Sequence, residues 1–124
     1  MILVVDDDPH VRATIVRALA ELGYQTGEAA DGEAALQALR AAERPLLVIL
    51  DYVMPGMDGA EVAREIAALD PDLPVLFSTG HAALRALRAA AGEDVPVLEK
   101  PFTLDELDEL VRDRLAERRR AKTA

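Results

Sequence analysis

Leu46-Leu47-Val48-Ile49-Leu50 ends at Asp51, and the loop that follows, Tyr52 to Asp58, carries Pro55 and Gly56 and leads into Gly59. An unbroken apolar run bounded by turn residues reads as a strand buried on both faces of a sheet. Three other runs end in the same way. Ile2-Leu3-Val4-Val5 stops at Asp6-Asp7, and Val75-Leu76-Phe77 stops at Ser78-Thr79-Gly80. Val95-Pro96-Val97-Leu98 stops at Glu99-Lys100-Pro101. If the runs are parallel strands, their polar ends converge on one edge, where open α/β sheets bind ligands.

Between the runs the apolar spacing turns helical. Asp8-Pro9 reads as an N-cap with proline at the first helical position, and Val11, Ile15, Leu19 and Leu22 recur at helical intervals before Gly23. A short strand is expected at about Tyr24 to Ala29, interrupted by Gly27. Asp31-Gly32 opens a helix with Leu36 and Leu39, and Val62, Ile66 and Leu69 share one face of the next. An Ala-rich helix from His81 to Ala91 has only Leu84 and Leu87 to bury, so it is the least firmly anchored. Thr103-Leu104-Asp105-Glu106 is a capping box ahead of Leu107, Leu110, Val111 and Leu115. The order is βαβαβαβαβα, an α/β chain whose parallel sheet is covered by helices on both faces. Right-handed crossovers place every strand's C-terminal end on the same edge.

Composition narrows the function. The chain has 124 residues, enough for one domain, and no apolar run long enough to cross a bilayer. It begins in a strand without the features of a signal peptide, so a cytoplasmic location is expected. Cysteine is absent, which removes disulfides and thiolate chemistry and disfavours zinc. A formal charge of −9 repels phosphate backbones, so direct nucleic-acid binding is not expected. Arg118-Arg119-Arg120 with Lys122 is the basic exception. It reads as a helix end with its cations against the dipole, with a linker or contact patch as alternatives.

Asp6, Asp7 and Asp51 repel one another unless a cation lies among them. All-oxygen ligation without His or Cys suits Mg²⁺ or Mn²⁺, which need only one or two direct carboxylates. A carboxylate is also a nucleophile toward phosphorus. The oxygens of a transferred phosphoryl group need a fixed cation and donors. Lys100 and Thr79 are candidates for these, with backbone N–H groups near Val53 and Gly80. No Ser or Cys nucleophile is paired with His10 or His81, and no glycine-rich phosphate loop follows the first strand. His10 reads as an exposed first-turn residue, and His81 reads as exposed too but lies beside the proposed site.

Val4-Val5-Asp6-Asp7-Asp8-Pro9, Asp51-Tyr52-Val53-Met54-Pro55-Gly56-Met57-Asp58-Gly59, Ser78-Thr79-Gly80 and Lys100-Pro101-Phe102, in this order, resemble the receiver domains of two-component response regulators. The resemblance covers nearly the whole chain. It implies a flavodoxin-like, doubly wound (βα)5 fold with strand order 2-1-3-4-5. Residues 1–118 would form the receiver domain and residues 119–124 a basic tail. By the resemblance Asp51 accepts phosphate from a sensor histidine kinase or a histidine phosphotransfer protein. Asp7, Asp51 and the Val53 carbonyl ligate Mg²⁺, and Asp6 acts mainly through a metal-bound water. Thr79 and Lys100 meet the phosphoryl oxygens, and the Lys100-Pro101 peptide is cis.

The chain departs from the family pattern in three places. Val97 stands where an aromatic usually moves inward on activation, which shifts the expected switch to Gly80–Leu84 and the helix after it. Val53, two residues after the acceptor, cannot orient an attacking water, so a long-lived phospho-Asp51 is expected. His81 follows Thr79 by two positions and is a candidate to position that water instead.

The expectation is a switch or phosphorelay intermediate without an output domain of its own, catalysing only its own phosphorylation and dephosphorylation. It stands alone or comes from a longer protein. A downstream protein would bind the 82–115 face, with the chain monomeric or forming a phosphorylation-linked homodimer. Arg112, Arg114, Asp108 and Glu109 could pair across such an interface, or form a solvated face. Two other classes fit these residues less well. A haloacid-dehalogenase type phosphatase needs a second Asp where Val53 stands. An adaptor that keeps only the fold would not require the complete acidic set.

Overall fold

The computed structural model describes residues 1–41 and 44–123, with residues 119–123 described through their backbone alone. Their basic side chains, read from the sequence as a tail, lie outside the described residues. The elements alternate strictly. They are β1 (Ile2–Val5), α1 (Pro9–Glu21), β2 (Thr26–Ala29), α2 (Gly32–Arg40), β3 (Leu47–Asp51), α3 (Gly59–Leu69), β4 (Val75–Gly80), α4 (Leu84–Ala91), β5 (Val97–Lys100) and α5 (Leu104–Thr123). A 3₁₀ turn at His81–Ala83 leads into α4. All neighbouring strands are parallel and the order is β2-β1-β3-β4-β5. This is the flavodoxin-like doubly wound fold.

The period of two along each strand sends alternate residues to opposite cores. Leu3, Val5, Val48, Leu50 and Phe77 pack on one face with Leu36, Leu39, Val62, Ile66 and Leu87 from α2, α3 and α4. Ile2, Val4, Ile49, Leu76 and Leu98 pack on the other with Ile15, Leu19, Leu107 and Val111 from α1 and α5. The central strands β1 and β3 are buried throughout, which is why they carry unbroken apolar runs.

The helix starts follow the sequence signals. Asp8 caps α1, accepting from the His10 and Val11 N–H groups at 2.9 and 3.3 Å. Asp31 and Asp58 accept from Ala34 and Glu61 N–H at 2.8 and 2.9 Å. In the capping box of α5, Glu106 N–H donates to Thr103 Oγ1 at 3.1 Å and Thr103 N–H donates to Glu106 Oε1 at 3.3 Å. Of α4 only Leu87 is buried, as its sparse apolar pattern predicts.

Four strand boundaries differ from the sequence reading. β3 is Leu47–Asp51 rather than Leu46–Leu50, with Leu46 exposed ahead of the sheet and Asp51 its last residue. β2 begins at Thr26 rather than Tyr24, because Tyr24 N–H closes the end of α1 on the Leu19 carbonyl at 3.0 Å. β4 continues through Ser78, Thr79 and Gly80, so these residues belong to the sheet. β5 runs Val97–Lys100, two residues beyond the Val95–Leu98 run. Pro96 lacks an N–H for the ladder, and Val97 through Lys100 are the residues in register with Phe77 through Gly80.

Candidate functional site

The topology brings the C-terminal ends of β1, β3, β4 and β5 to one edge, around an open cleft of about 410 Å³. Asp6 and Asp51 are almost fully buried there, while Asp7 is exposed. Asp6, Asp7 and Asp51 each place a carboxylate oxygen within 4.8 Å of the other two. Lys100 enters from β5, its Nζ 3.1 Å from Asp6 Oδ2 and 3.5 Å from Asp51 Oδ1. Asp6 Oδ1 accepts from the Asp8 N–H at 2.9 Å, and Asp51 Oδ1 from the Val53 N–H at 3.4 Å.

Burial dominates the acid–base state of Asp51 and pushes its carboxyl up to about 6. The Lys100 ammonium opposes that shift, Asp6 adds to it, and the Val53 N–H opposes it. Asp8 is held below the ordinary carboxylate range by the His10 and Val11 N–H groups it accepts from. It is therefore a helix cap at the cleft wall.

Thr79 lines the cleft, and its hydroxyl is buried without a hydrogen-bond partner among the described residues. The hydroxyl of Ser78, whose backbone is in register with Asp51 on the next strand, is buried and unpartnered as well. An unmet buried hydroxyl costs about 1–3 kcal/mol, so an oxygen-rich group entering beside Thr79 would find a donor waiting. Gly80 lines the cleft, and Val53 stands at its mouth, 57 % exposed. The Lys100-Pro101 peptide is cis. His81 is turned outward, with Nδ1 3.1 Å from Glu99 Oε1. Its imidazole does not line the cleft.

Three contributors make contacts that the sequence reading did not assign to them. Arg12 of α1 donates to the Asp6 carbonyl oxygen at 2.7 Å and pairs with Glu28 of β2 at 3.1 Å. Gly59 presses on the acceptor strand, and a Cβ there would stand 2.7 Å from Tyr52 Cα and 2.8 Å from the Asp51 carbonyl oxygen. Tyr52, half-buried, donates its hydroxyl to the Ala86 carbonyl of α4 at 3.5 Å. The only local hint is the Asp58-Gly59 dipeptide at a helix start. Nothing in a linear pattern shows which residues an arginine or tyrosine will reach.

The donor set of the cleft is oxygen-only, with three carboxylates and the nearby Val53 backbone. This set fits a small hard cation such as Mg²⁺. The model of the response regulator receiver domain matches residues 2–112. The chain belongs to the receiver domain family. It is 42% identical over 109 residues to the response regulator receiver protein CpdR of Brucella abortus, covering 86% of this chain and 88% of that one. It is 44% identical over 108 residues to the response regulator MprA of Mycolicibacterium vanbaalenii, covering 86% of this chain but 46% of MprA. The receiver domain thus spans about half the length of the MprA relatives. Among solved structures, the receiver domain of NtrX from Brucella abortus superposes with a TM-score of 0.86 at 33% identity, covering 94% of this chain and 98% of that one. Membership in this family brings a histidine kinase or other phosphodonor into view as a partner. Among the described residues no helix is long and apolar enough to cross a membrane.

Proposed function

We propose that this receiver domain is a Mg²⁺-dependent phosphoryl acceptor, with Asp51 as the acceptor and phosphorylation as a signalling or relay state. The observation that carries the reading is the placement of Asp51 between an ammonium and two further carboxylates, beside an unpartnered Thr79 hydroxyl. The donor is a phosphohistidine on a sensor kinase or a phosphotransfer protein, and the reaction occurs in the cytoplasm. An Asp51 carboxylate oxygen bonds to phosphorus as the P–N bond breaks, and the imidazole leaves with the electron pair and takes a proton from solvent.

Asp7, Asp51 and the Val53 carbonyl would hold the metal, with Asp6 acting through its water shell. Bound Mg²⁺ would supply positive charge against the phosphoryl oxygens and the acidic cluster. Lys100 supplies a fixed positive charge next to Asp51. Thr79 donates its free hydroxyl to a phosphoryl oxygen, and the N–H of Val53 faces the acceptor carboxylate. The domain catalyses its own phosphorylation and dephosphorylation and turns over no separate substrate.

The test is incubation with Mg²⁺ and acetyl phosphate, read by intact-mass spectrometry. One phosphoryl adduct is expected, lost in Asp51→Asn and in excess EDTA. Continuous phosphate release from many substrates would point to a phosphatase instead. No adduct under any condition would leave an adaptor that keeps the fold alone.

A further inference from the structure

We propose that Arg12 is a positioning residue for the cation site, holding the Asp6–Asp7 peptide plane so that the Asp7 carboxylate faces the cleft. The inference rests on the metal reading given above. The three carboxylates are not held alike. Asp6 is fixed at both oxygens by the Asp8 N–H and by Lys100, and Asp51 by the Val53 N–H and Lys100. Asp7, the exposed one, has no side-chain partner among the described residues, so its carboxylate is placed by the backbone that carries it.

That backbone begins with a planar peptide shared with Asp6, so the direction of the Asp6 carbonyl sets the plane from which Asp7 projects. Arg12 Nη1 grips that carbonyl oxygen at 2.7 Å, in the short range of a charge-assisted bond. The other side of the guanidinium is anchored, because Nε pairs with Glu28 Oε1 at 3.1 Å. Glu28 lies on β2 in register with Val4, and the Asp6 N–H donates to the Ala29 carbonyl at 3.2 Å. The Arg12 backbone N–H is tied to the Asp8 carbonyl at 2.9 Å, which fixes the start of α1 against the same loop. The Arg12 side chain is only 18 % exposed, so the fork is braced on β1, β2 and α1.

A pure charge effect predicts the opposite sign. A guanidinium close to the cleft repels a divalent cation, so deleting it would tighten metal binding if charge were all that mattered. A positioning role predicts weaker binding, because the cation would then have to order Asp7 as it binds.

The experiment is Mg²⁺ titration of the whole chain, read from the amide resonances of residues 5–8 and 51–53. It is run for wild type, Arg12→Ala, Arg12→Lys and Glu28→Gln, with thermal unfolding in EDTA alongside. Arg12→Ala is expected to weaken Mg²⁺ about 10-fold, the low end of what outer ligand-orienting groups contribute. Arg12→Lys keeps the charge but cannot serve carbonyl and carboxylate with one fork, so it falls between. Glu28→Gln leaves Arg12 in place and is also expected to weaken binding, although the lost negative charge acts in the same direction; the charge-preserving Arg12→Lys, for which charge alone predicts no change, keeps the test decisive if Arg12→Ala does not fold. Affinity equal to or tighter than wild type in Arg12→Lys and Glu28→Gln, with wild type saturating, overturns the positioning role alone. Failure of the wild type to saturate would overturn the metal reading and this inference with it.

Discussion

Lys100 Nζ stands 3.1 Å from Asp6 Oδ2 across 94 positions of sequence, and the same ammonium is 3.5 Å from Asp51. Asp6 is 1 % exposed, so this contact compensates a carboxylate with little access to water. Removing one partner of a buried pair costs more than the pair contributes, because the other charge stays buried. Lys100→Met should lower unfolding free energy by about 2–3 kcal/mol in chemical denaturation, less than a fully buried pair would lose because the ammonium is partly hydrated. A loss below about 0.5 kcal/mol, the size of an ordinary surface substitution, would mean that water already shields Asp6.

Asp51 makes stability depend on pH. Its carboxyl is raised from 3.8 to about 6 in the folded chain, mainly by burial. Between those values the folded state holds a proton that the unfolded state has released, so stability falls as pH rises from about 4 to 6. Above that range the folded protein carries the full cost of the buried charge. Asp51→Asn should therefore be more stable than wild type at pH 7 in EDTA, by on the order of 2 kcal/mol, with the gap closing toward pH 4. Parallel stability–pH curves for the two proteins would refute this account.

Gly59 and Gly80 separate close packing from open space. Gly59→Ala drives a Cβ into backbone atoms of Tyr52 and Asp51 that cannot swing aside, so a loss of about 2–3 kcal/mol is expected. At Gly80 an added Cβ would meet no atom within 4 Å among the described residues, its own chain neighbours aside. Gly80→Ala should change stability by less than about 0.5 kcal/mol. Thermal unfolding of both variants checks the contrast, and equal effects would contradict it.

The exposed Val53 offers no polar atom in its side chain to orient a water at phospho-Asp51. Val53→Asn should shorten the phosphoryl lifetime by about 10-fold, below a full general-base effect because an amide orients water without taking its proton. His81 faces Glu99 rather than the cleft, so His81→Ala should leave the lifetime unchanged. Phosphate release from the acetyl phosphate adduct measures both. A longer lifetime in His81→Ala would mean that the imidazole reaches the water after all.

Helix α4 has no side-chain N-cap and buries only Leu87, while Tyr52, the residue after the acceptor, reaches its Ala86 carbonyl. Val97, on β5, packs against the same core face as Tyr52. Amide exchange in residues 80–91 is expected to change when beryllofluoride and Mg²⁺ are added, and Tyr52→Phe should reduce that change. Identical protection with and without the mimic would remove this segment from the switch.

Much of this molecule was legible in the linear pattern. Apolar runs alternating with helical spacing specify a parallel sheet, because a strand buried on both faces tolerates no polar residue until it emerges. The polar residues therefore mark the strand ends, and handed crossovers put those ends together. Asp6, Asp7, Asp51, Thr79 and Lys100 could be named for that reason alone, and Asp8, Asp31, Asp58 and Thr103 because capping is local. The remaining features depend on distance and direction between segments far apart in sequence. The β5 register came from pairing with β4, the reach of Arg12 from α1 lying over β1 and β2, and the fit of Gly59 from α3 closing on β3. Lys100 bridges two carboxylates, and His81 turns to Glu99, for the same reason. Side-chain contacts of this kind are settled by how elements pack, and no spacing along the chain encodes them.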